Sequence, residues 1–480
     1  MGTLGRTFLV VGVLVLALAR ASSAAPFSKE DVFVPMDDGV PIAVTLYQPV
    51  GPAPPNGWPA VLLLHGLGQS RTAPGIAGLS SQAIAERWLA DDGYAVLTFD
   101  ARAHGASGGL STVDGPREIA DLRALFEWLA ARPGIDRVKI GAVGVSYGGG
   151  AIWRAAAAGV PFATIVPVAT WTDLASALFP NGLAKTGAVT SLFGGLPRSR
   201  IAPALLPLID DLAGSENLPA LAPFAQLRST RTLLDRLRLP VFMLQGRRDF
   251  TFDLGQAFAA FTRLRGPKRL YVGDFGHSPA SNPPAEQEHY LAEVRDWLDR
   301  FLKDEPNGID RRRPVEIAPD PWTGKTIAYR RLPPRKTVRL DLPGNAVLGA
   351  GGKVVRSAVL PRRRLEAFGA PVVTFAASTT TGWQHVVVAV SALTQSGKEM
   401  LISEGGTATL SATPHRIALS LINAAAPIPP GSRLRVTLAA TSTAQSPANL
   451  LYPLGVAADA RITIGQIRLT LPVLATPISG

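Results

Sequence analysis

The sequence predicts two domains, a doubly wound α/β domain followed by an all-β domain. From about residue 31 to 303, short apolar strands alternate with amphipathic helices, which is typical of a mostly parallel sheet covered on both faces. Past Pro306 the helical pattern stops, and Val-, Thr- and Ile-rich stretches alternate with turn residues, as in a β-sandwich. A chain of 480 residues has room for two or three domains.

The strands of the α/β domain are predicted from short apolar runs at 42–46, 61–64, 95–99, 139–143, 165–168, 241–244 and 269–272. Helices are predicted between them at 81–89 and 118–131, and after the last strand at 286–302. The run 61–64 is apolar at every position, which indicates a central strand with both faces covered.

The interval 175–238 interrupts this alternation. It is rich in Leu, Ala and Pro and predicts short helices without a strand, either as a cap over a site or as an insertion that merely covers apolar surface. We favour the cap. The predicted boundaries are therefore 26–306 for the α/β domain, with the cap at about 175–238, and 307–480 for the β-sandwich with its basic, Pro-rich lead-in.

The first 25 residues are typical of an export signal. Arg6 precedes an apolar run from Phe8 to Ala19, and Ala21–Ala25 offers small residues for cleavage. The alternative is a retained anchor, but the run is shorter than the ~20 residues that a membrane span needs. We therefore expect an extracytoplasmic protein. The absence of cysteine excludes disulfides, thiolate metal sites and a cysteine nucleophile.

Basic residues outnumber acidic ones and give a formal net charge of +12. They are dispersed along the chain or lie in short runs such as Arg311–Arg313 and Arg362–Arg364. These runs lack interleaved aromatic residues and any nucleic-acid motif. We expect no nucleic-acid partner and assign the excess to solvated surface. Weak association with an anionic envelope surface is the alternative.

Ser146 is the candidate nucleophile. It lies in Gly144-Val145-Ser146-Tyr147-Gly148, between a predicted strand and the helix-compatible run Ala151–Ala158. A G-x-S-x-G pentapeptide is weak evidence by itself, but the strand–turn–helix context is the one that a nucleophile elbow requires.

The candidate base and acid follow in the chain order that this elbow implies. His277 lies in a loop after the last predicted strand, where a base for Ser146 is expected, and Asp249 lies one loop beyond a buried strand. Asp253 and Asp274 are rivals for the acid. Asp253 is better explained as a helix cap, and Asp274 lies too close to His277 along the chain.

Two main-chain N–H groups are predicted to hold a developing oxyanion, those of Tyr147 and Leu67. Leu67 belongs to the loop His65-Gly66-Leu67-Gly68, and we expect His65 and His104 to line or brace the site. The histidines and carboxylates show no metal-ligand spacing, and no phosphate loop or dinucleotide fingerprint is present. We therefore expect neither a metal nor a cofactor.

With these residues placed, the chain resembles the family of cocaine esterase, acyl esterases and Xaa-Pro dipeptidyl-peptidases. The likeness is carried by Val34–Pro49, by Gly144–Gly149, by the positions of Asp249 and His277, and by Pro430–Val436. It implies an α/β-hydrolase domain with a helical cap and a C-terminal jelly roll. Those relatives commonly take an oxyanion donor from a tyrosine hydroxyl, whereas the corresponding loop here, His65–Gly68, is closer to general esterases and lipases.

The leading hypothesis is hydrolysis of carboxylic esters through an acyl-enzyme at Ser146. A Xaa-Pro dipeptidyl-peptidase with the same three residues is the alternative, with Asp210, Asp211 or Glu216 of the cap as candidates to hold a substrate ammonium. Small esters or short peptides are the expected substrates. A third hypothesis is a non-catalytic protein that binds envelope polymer.

Overall fold

The structure is a computed structural model that describes residues 27–75, 79–443 and 450–478. The predicted export signal at 1–25 lies outside these ranges. Within them, no helix is both long enough and apolar enough to cross a membrane.

The first domain is built on one ten-stranded sheet. Its strands are β1 (Phe27–Pro35), β2 (Pro41–Pro49), β3 (Trp58–Leu64), β4 (Ala95–Phe99), β5 (Ile135–Val145), β6 (Thr164–Val168), β7 (Val241–Gly246), β8 (Lys268–Gly273), β9 (Val315–Ile317) and β10 (Ile327–Tyr329). They are ordered β1-β2-β4-β3-β5-β6-β7-β8-β9-β10. The sheet is parallel from β4 to β9, and β1, β2 and β10 add antiparallel edges.

The helices lie on both faces of this sheet and in the interval between β6 and β7. They are α1 (Ser81–Ile84), continued by a π-helical turn (Ala85–Leu89), α2 (Pro116–Ala130), α3 (Tyr147–Ala157), α4 (Leu174–Leu178), α5 (Thr186–Gly194), α6 (Leu206–Gly214), α7 (Ala222–Leu227), α8 (Leu254–Arg263) and α9 (Pro284–Leu302). Helices α4 to α7 and several 3-10 turns occupy the interval predicted as a cap, and no named strand falls within it.

Strand β3 explains why the run 61–64 is continuously apolar. Leu62 and Leu64 pack into the core on one face of the sheet, and Val61 and Leu63 pack into the core on the other. Both faces of the sheet are therefore buried at this strand. The carboxyl ends of the parallel strands form one edge of the sheet, where the connecting loops meet.

The first sheet continues beyond the predicted domain boundary at Pro306. Strand β9 pairs with β8, and β10 pairs with β9, so the sheet reaches Tyr329. Each strand is only three residues long and lies in a segment rich in Arg and Pro, which carries no strand pattern. The observed boundary between the two sheets thus falls about 20 residues later than the sequence prediction.

The second domain consists of two antiparallel sheets packed face to face. Their strands are β11 (Arg335–Leu342), β12 (Ala346–Gly349), β13 (Lys353–Val359), β14 (Leu365–Gly369), β15 (Val372–Thr379), β16 (Val386–Leu393), β17 (Glu399–Thr407), β18 (His415–Ser420), β19 (Ala424–Ile428), β20 (Arg433–Ala439) and β21 (Arg461–Leu474). One sheet holds β13-β20-β16-β17, and the other is centred on β21, which pairs with β11, β12, β14 and β15. Their inner faces share one apolar core, so the predicted β-sandwich is confirmed.

Candidate active site

Ser146 lies on the sharp turn between β5 and α3. Its backbone has φ of 55° and ψ of −115°, in a region that residues with a side chain rarely adopt. Bonds to its main-chain atoms hold it there: its N–H donates to Val168 O at 2.9 Å, and Thr170 Oγ1 donates to its carbonyl at 2.7 Å. The turn therefore projects the Ser146 hydroxyl from the edge of the sheet that the carboxyl ends of the parallel strands form.

The two glycines of the pentapeptide are required by close packing. A Cβ on Gly144 would overlap the carbonyl oxygen of Gly148, and a Cβ on Gly148 would lie 2.6 Å from Leu64 Cβ. The strand, the turn and helix α3 can approach one another this closely only without side chains at these positions.

His277 brings its ring against the Ser146 hydroxyl. The distance between Ser146 Oγ and His277 Nε2 is 2.9 Å. The His277 ring also packs edge-on against Phe252, with the ring centroids 5.1 Å apart. The candidate nucleophile and the candidate base thus lie within hydrogen-bond reach of each other at the edge of the sheet.

Asp249 lies on the opposite side of the His277 ring and is fully buried. Its Oδ2 is 2.7 Å from His277 Nδ1 and accepts the His277 main-chain N–H at 3.1 Å. Its Oδ1 accepts the N–H groups of Thr251 and Phe252 at 3.0 and 2.9 Å. Four hydrogen bonds therefore fix the carboxylate and compensate its burial.

The two rival carboxylates have other partners. Asp253 Oδ1 accepts the N–H of Gly255 and caps helix α8, as predicted. Asp274 Oδ1 accepts the N–H of Ser281. Of the three candidates, Asp249 is the one that contacts the His277 ring.

The N–H groups of Leu67 and Tyr147 are available to a ligand. Neither donates a hydrogen bond to any other residue in the described part of the chain. Both residues line the cavity that contains Ser146, and the Tyr147 N–H is the first of helix α3, where the helix dipole favours negative charge.

His65 braces the loop that carries Leu67. Its Nδ1 is 2.7 Å from Gly66 O, and its Nε2 accepts the N–H of Ala101 at 3.0 Å. The ring is therefore neutral, with its proton on Nδ1. Burial is the main cause that lowers the pKa of His65 to about 4, and burial likewise lowers the pKa of the neighbouring His104 to about 4.

An apolar cavity opens beside Ser146. Its side chains come from the α/β domain and from the cap. They are Leu67, Val113, Tyr147, Trp171, Leu174, Leu178, Leu192, Phe193, Phe224 and Phe252, in addition to Ser146. None of these described lining residues carries a charge, so the cavity favours an uncharged, apolar group.

The acidic residues of the cap do not line this cavity. Asp210 is exposed and pairs with Arg198, and Asp211 accepts a hydrogen bond from Asn217. Glu216 is exposed as well. None of the three is therefore placed to hold an ammonium group next to Ser146.

One cluster of possible metal ligands occurs elsewhere among the described residues. His289, Glu293 and Glu316 have donor atoms within 4.8 Å of one another. The Arg269 guanidinium, however, contacts both Glu293, at 2.7 Å, and Glu316. The two carboxylates are therefore already paired with a positive charge, so this donor set does not suit a metal ion.

Apart from Leu67 and Tyr147, the walls of the cavity were not predicted from the sequence. Trp171, Phe224 and Phe252 belong to a loop, a cap helix and the segment that follows Asp249, and only the fold brings them together. Of these three residues, only Phe252 could have been suspected from the sequence, because it lies three residues after the predicted site residue Asp249.

The comparisons with known proteins agree with this architecture. Residues 38–195 match the family described as X-Pro dipeptidyl-peptidase (S15 family). Cocaine esterase from Rhodococcus sp. (strain MB1 Bresler) is 27% identical over 354 residues, which are 62% of this chain and 59% of that relative. The match thus spans less than two thirds of the relative's own length.

Two solved structures share the fold over nearly the whole chain. A CocE/NonD family hydrolase from Staphylococcus aureus has a TM-score of 0.74 at 14% identity, covering 93% of this chain and 94% of that one. An alpha-amino acid ester hydrolase has a TM-score of 0.70 at 16% identity, covering 96% and 100%. The predicted resemblance is therefore confirmed: the chain is a relative of cocaine esterase, it carries an X-Pro dipeptidyl-peptidase family match, and it has the two-domain fold of CocE/NonD family hydrolases.

Proposed function

We propose that this protein hydrolyses carboxylic esters through an acyl-enzyme at Ser146. The observation that carries the proposal is the continuous contact from Ser146 Oγ to His277 Nε2 and from His277 Nδ1 to Asp249 Oδ2, at 2.9 and 2.7 Å. This contact lies at the wall of an apolar cavity. Similarity to cocaine esterase supports the same chemistry.

The reaction proceeds in two steps. Ser146 Oγ attacks the carbonyl carbon while His277 Nε2 takes its proton, and Asp249 stabilises the imidazolium that forms. The N–H groups of Leu67 and Tyr147 bind the carbonyl oxygen as it becomes negative. His277 then protonates the leaving alcohol, and in the second step it activates the water that releases the acid and restores Ser146.

The cavity favours esters over dipeptides with a free amino terminus. An ammonium group transferred into an uncharged apolar site loses its hydration without gaining a counter-charge. The acidic cap residues that could have supplied one lie elsewhere. We therefore place the acyl group of the substrate in this cavity and expect it to be apolar, either aliphatic or aromatic.

Fluorophosphonate labelling tests the nucleophile. We expect the full chain to be labelled, Ser146→Ala to lose the label, and Ser281→Ala, which changes an exposed serine of the His277 loop, to keep it. Labelling of Ser146→Ala would refute the assignment. Absence of labelling in the folded parent would instead favour a non-catalytic binding protein.

A substrate panel distinguishes the esterase hypothesis from the dipeptidyl-peptidase hypothesis. Chromogenic esters with acyl chains of two to eight carbons are compared with an Ala-Pro anilide at equal concentration. We expect turnover of the esters and little turnover of the anilide. Turnover of the anilide alone would reverse the preference and favour the dipeptidyl-peptidase.

Export of the protein is a separate proposal that rests on residues 1–25. Expression of the full chain with its own leader, followed by fractionation and intact-mass measurement, tests it. We expect a product shortened near Ala25 and recovered outside the cytoplasm. Full-length protein in the membrane fraction would favour the retained anchor.

A further inference from the structure

The segment Gly246–Leu254, called the acid loop below, carries Asp249 and connects β7 to α8. Asp249 can orient His277 only if this loop is held in place, because a displacement of about 1 Å can cost roughly a hundredfold in rate. The contacts of the acid loop therefore indicate which other parts of the chain the reaction depends on.

Arg247 joins the acid loop to the β-sandwich, and its side chain is fully buried. Its guanidinium donates to Ala425 O at 3.2 Å and to Ala318 O at 2.6 Å, and it forms an ion pair with the buried carboxylate of Glu366. The main chain adds a further bond, from Ala425 N–H to Arg247 O at 2.7 Å. Ala425 and Glu366 lie on the adjacent sandwich strands β19 and β14.

Asp253 makes a second connection at the other end of the acid loop. While its Oδ1 caps helix α8, its Oδ2 accepts the N–H of Asn423 at 3.0 Å. The Leu254 N–H donates to Asn423 O at 3.3 Å. The acid loop is thus tied to the sandwich two residues before Asp249 and four residues after it.

Apolar packing closes the space between these two connections. Phe250, the residue after Asp249, is fully buried in a cluster whose other members come mainly from the sandwich. They include Val387, Ile422, Leu451 and Tyr452. Burial of a whole aromatic side chain is favourable because it removes apolar surface from water, so the sandwich also stabilises the middle of the loop.

We propose that the β-sandwich is a positioning element for Asp249, and that Glu366, acting through Arg247, is a positioning residue for the reaction. The inference rests on the proposed function, since it takes Asp249 as the acid. A buried Arg–Glu pair holds its partners in one geometry, because either charge left alone in the interior would be uncompensated. In this account the second domain contributes to the rate without lining the cavity beside Ser146.

The test compares Glu366→Gln with Glu316→Gln in the full chain. Both substitutions neutralise a buried glutamate paired with an arginine, but Glu316 contacts Arg269 and His289, away from the acid loop. We expect Glu366→Gln to lower kcat for a short-chain ester at least tenfold, with KM changed less than threefold. The acid limb of its pH–kcat/KM profile should move to lower pH, because a misplaced carboxylate stabilises the imidazolium less. Glu316→Gln should keep both the rate and the profile of the parent.

Asp253→Ser is the second variant and covers the case in which Glu366→Gln does not fold. Serine still caps helix α8 but has no second oxygen for the Asn423 N–H. We expect a fall in kcat of several-fold at unchanged KM. Unchanged kcat and an unchanged pH profile in the folded variants would overturn the proposal.

Labelling distinguishes this failure from failure of the proposed function. If Ser146→Ala loses the fluorophosphonate label while the folded Glu366→Gln and Asp253→Ser proteins react at the parental rate, only the positioning role is refuted. If Ser146→Ala is still labelled, the assignment of Ser146, and with it the proposed function, is refuted.

Discussion

Asp249 Oδ2 accepts two hydrogen bonds from His277, one from the ring Nδ1 at 2.7 Å and one from the main-chain N–H at 3.1 Å. The second bond ties the Asp249 carboxylate to the backbone of the residue that carries the ring, so the carboxylate is held next to the loop of His277 as well as to its ring. Nδ1 thereby keeps the proton, and Nε2 is left as the acceptor that faces Ser146.

Asp249→Asn should therefore lower kcat for ester hydrolysis by about 10⁴-fold, since an amide at this position favours the wrong tautomer of His277. Asp274→Asn is the matched control, because asparagine can still accept the Ser281 N–H. We expect that control to remain within a few-fold of the parent. Steady-state kinetics on one chromogenic ester decides between the two carboxylates, and an equal loss in both variants would contradict the assignment.

The N–H of Leu67 can be tested by removing it. Leu67→Pro deletes this donor, and loss of one oxyanion donor costs about 10²–10³ in kcat. Leu67→Ala keeps the N–H and removes only part of the cavity wall, so we expect its kcat to stay within about tenfold of the parent. Circular dichroism of both proteins controls for folding. Equal activities of the two folded variants would show that the Leu67 N–H does not bind the oxyanion.

The volume of the cavity should set the preference for acyl length. Leu192→Trp adds bulk to a cap residue in the wall, and we expect kcat/KM for an octanoyl ester to fall at least tenfold more than for an acetyl ester. Leu227→Trp, at an exposed cap residue outside the cavity, should leave the ratio unchanged. A parallel fall for all chain lengths would mean that the acyl group binds elsewhere.

The local parts of this site were predictable from the sequence, and the long-range parts were not. The elbow at Ser146 and the loops of Asp249 and His277 each follow a recognisable strand, so residue type and chain order were enough to nominate them. Arg247 and Glu366 are 119 positions apart and lie in different domains, and neither lies in a motif. Strands β9 and β10 escaped prediction because three residues are too few to show an alternating pattern.

Burial of His104 predicts a loss of stability in acid. Its pKa is lowered to about 4 in the folded protein, against about 6.5 in an unfolded chain, so the unfolded state binds the proton first. The contribution to the free energy of unfolding is complete above pH 6.5 and is lost as the pH falls towards 4. At full protonation the loss is about 3 kcal/mol.

His104→Gln removes this titration. We expect the difference in unfolding free energy between parent and variant, measured by urea titration, to fall steadily from pH 7 to pH 4.5. Both proteins contain the other titrating groups, so the contributions of those groups to the unfolding free energy cancel in this difference. A constant difference over this range would show that His104 is protonated as readily in the folded chain as in the unfolded one.

Lys185 of the cap predicts a gain in stability as the pH rises through the alkaline range, in the same direction as the effect of His104. Its ammonium is buried and donates to the carbonyls of Phe250 and Thr251 in the acid loop, at 2.7 and 3.1 Å. Burial lowers the pKa of Lys185 to about 8 from the usual 10.5. Between these values the unfolded chain holds the extra proton, so the contribution of Lys185 to stability rises with pH.

The neutral amine formed above pH 8 keeps two N–H donors for the two carbonyls, so deprotonation removes the cost of a buried charge without breaking either contact. We expect the unfolding free energy of the parent, relative to Lys185→Met, to increase by about 3 kcal/mol between pH 7.5 and 10.5. Lys139→Met, which removes the lysine of β5 that pairs with Asp304, controls for the loss of one positive charge. If the difference in unfolding free energy between the parent and Lys185→Met stays constant or decreases over this range, the buried amine is not the group that titrates.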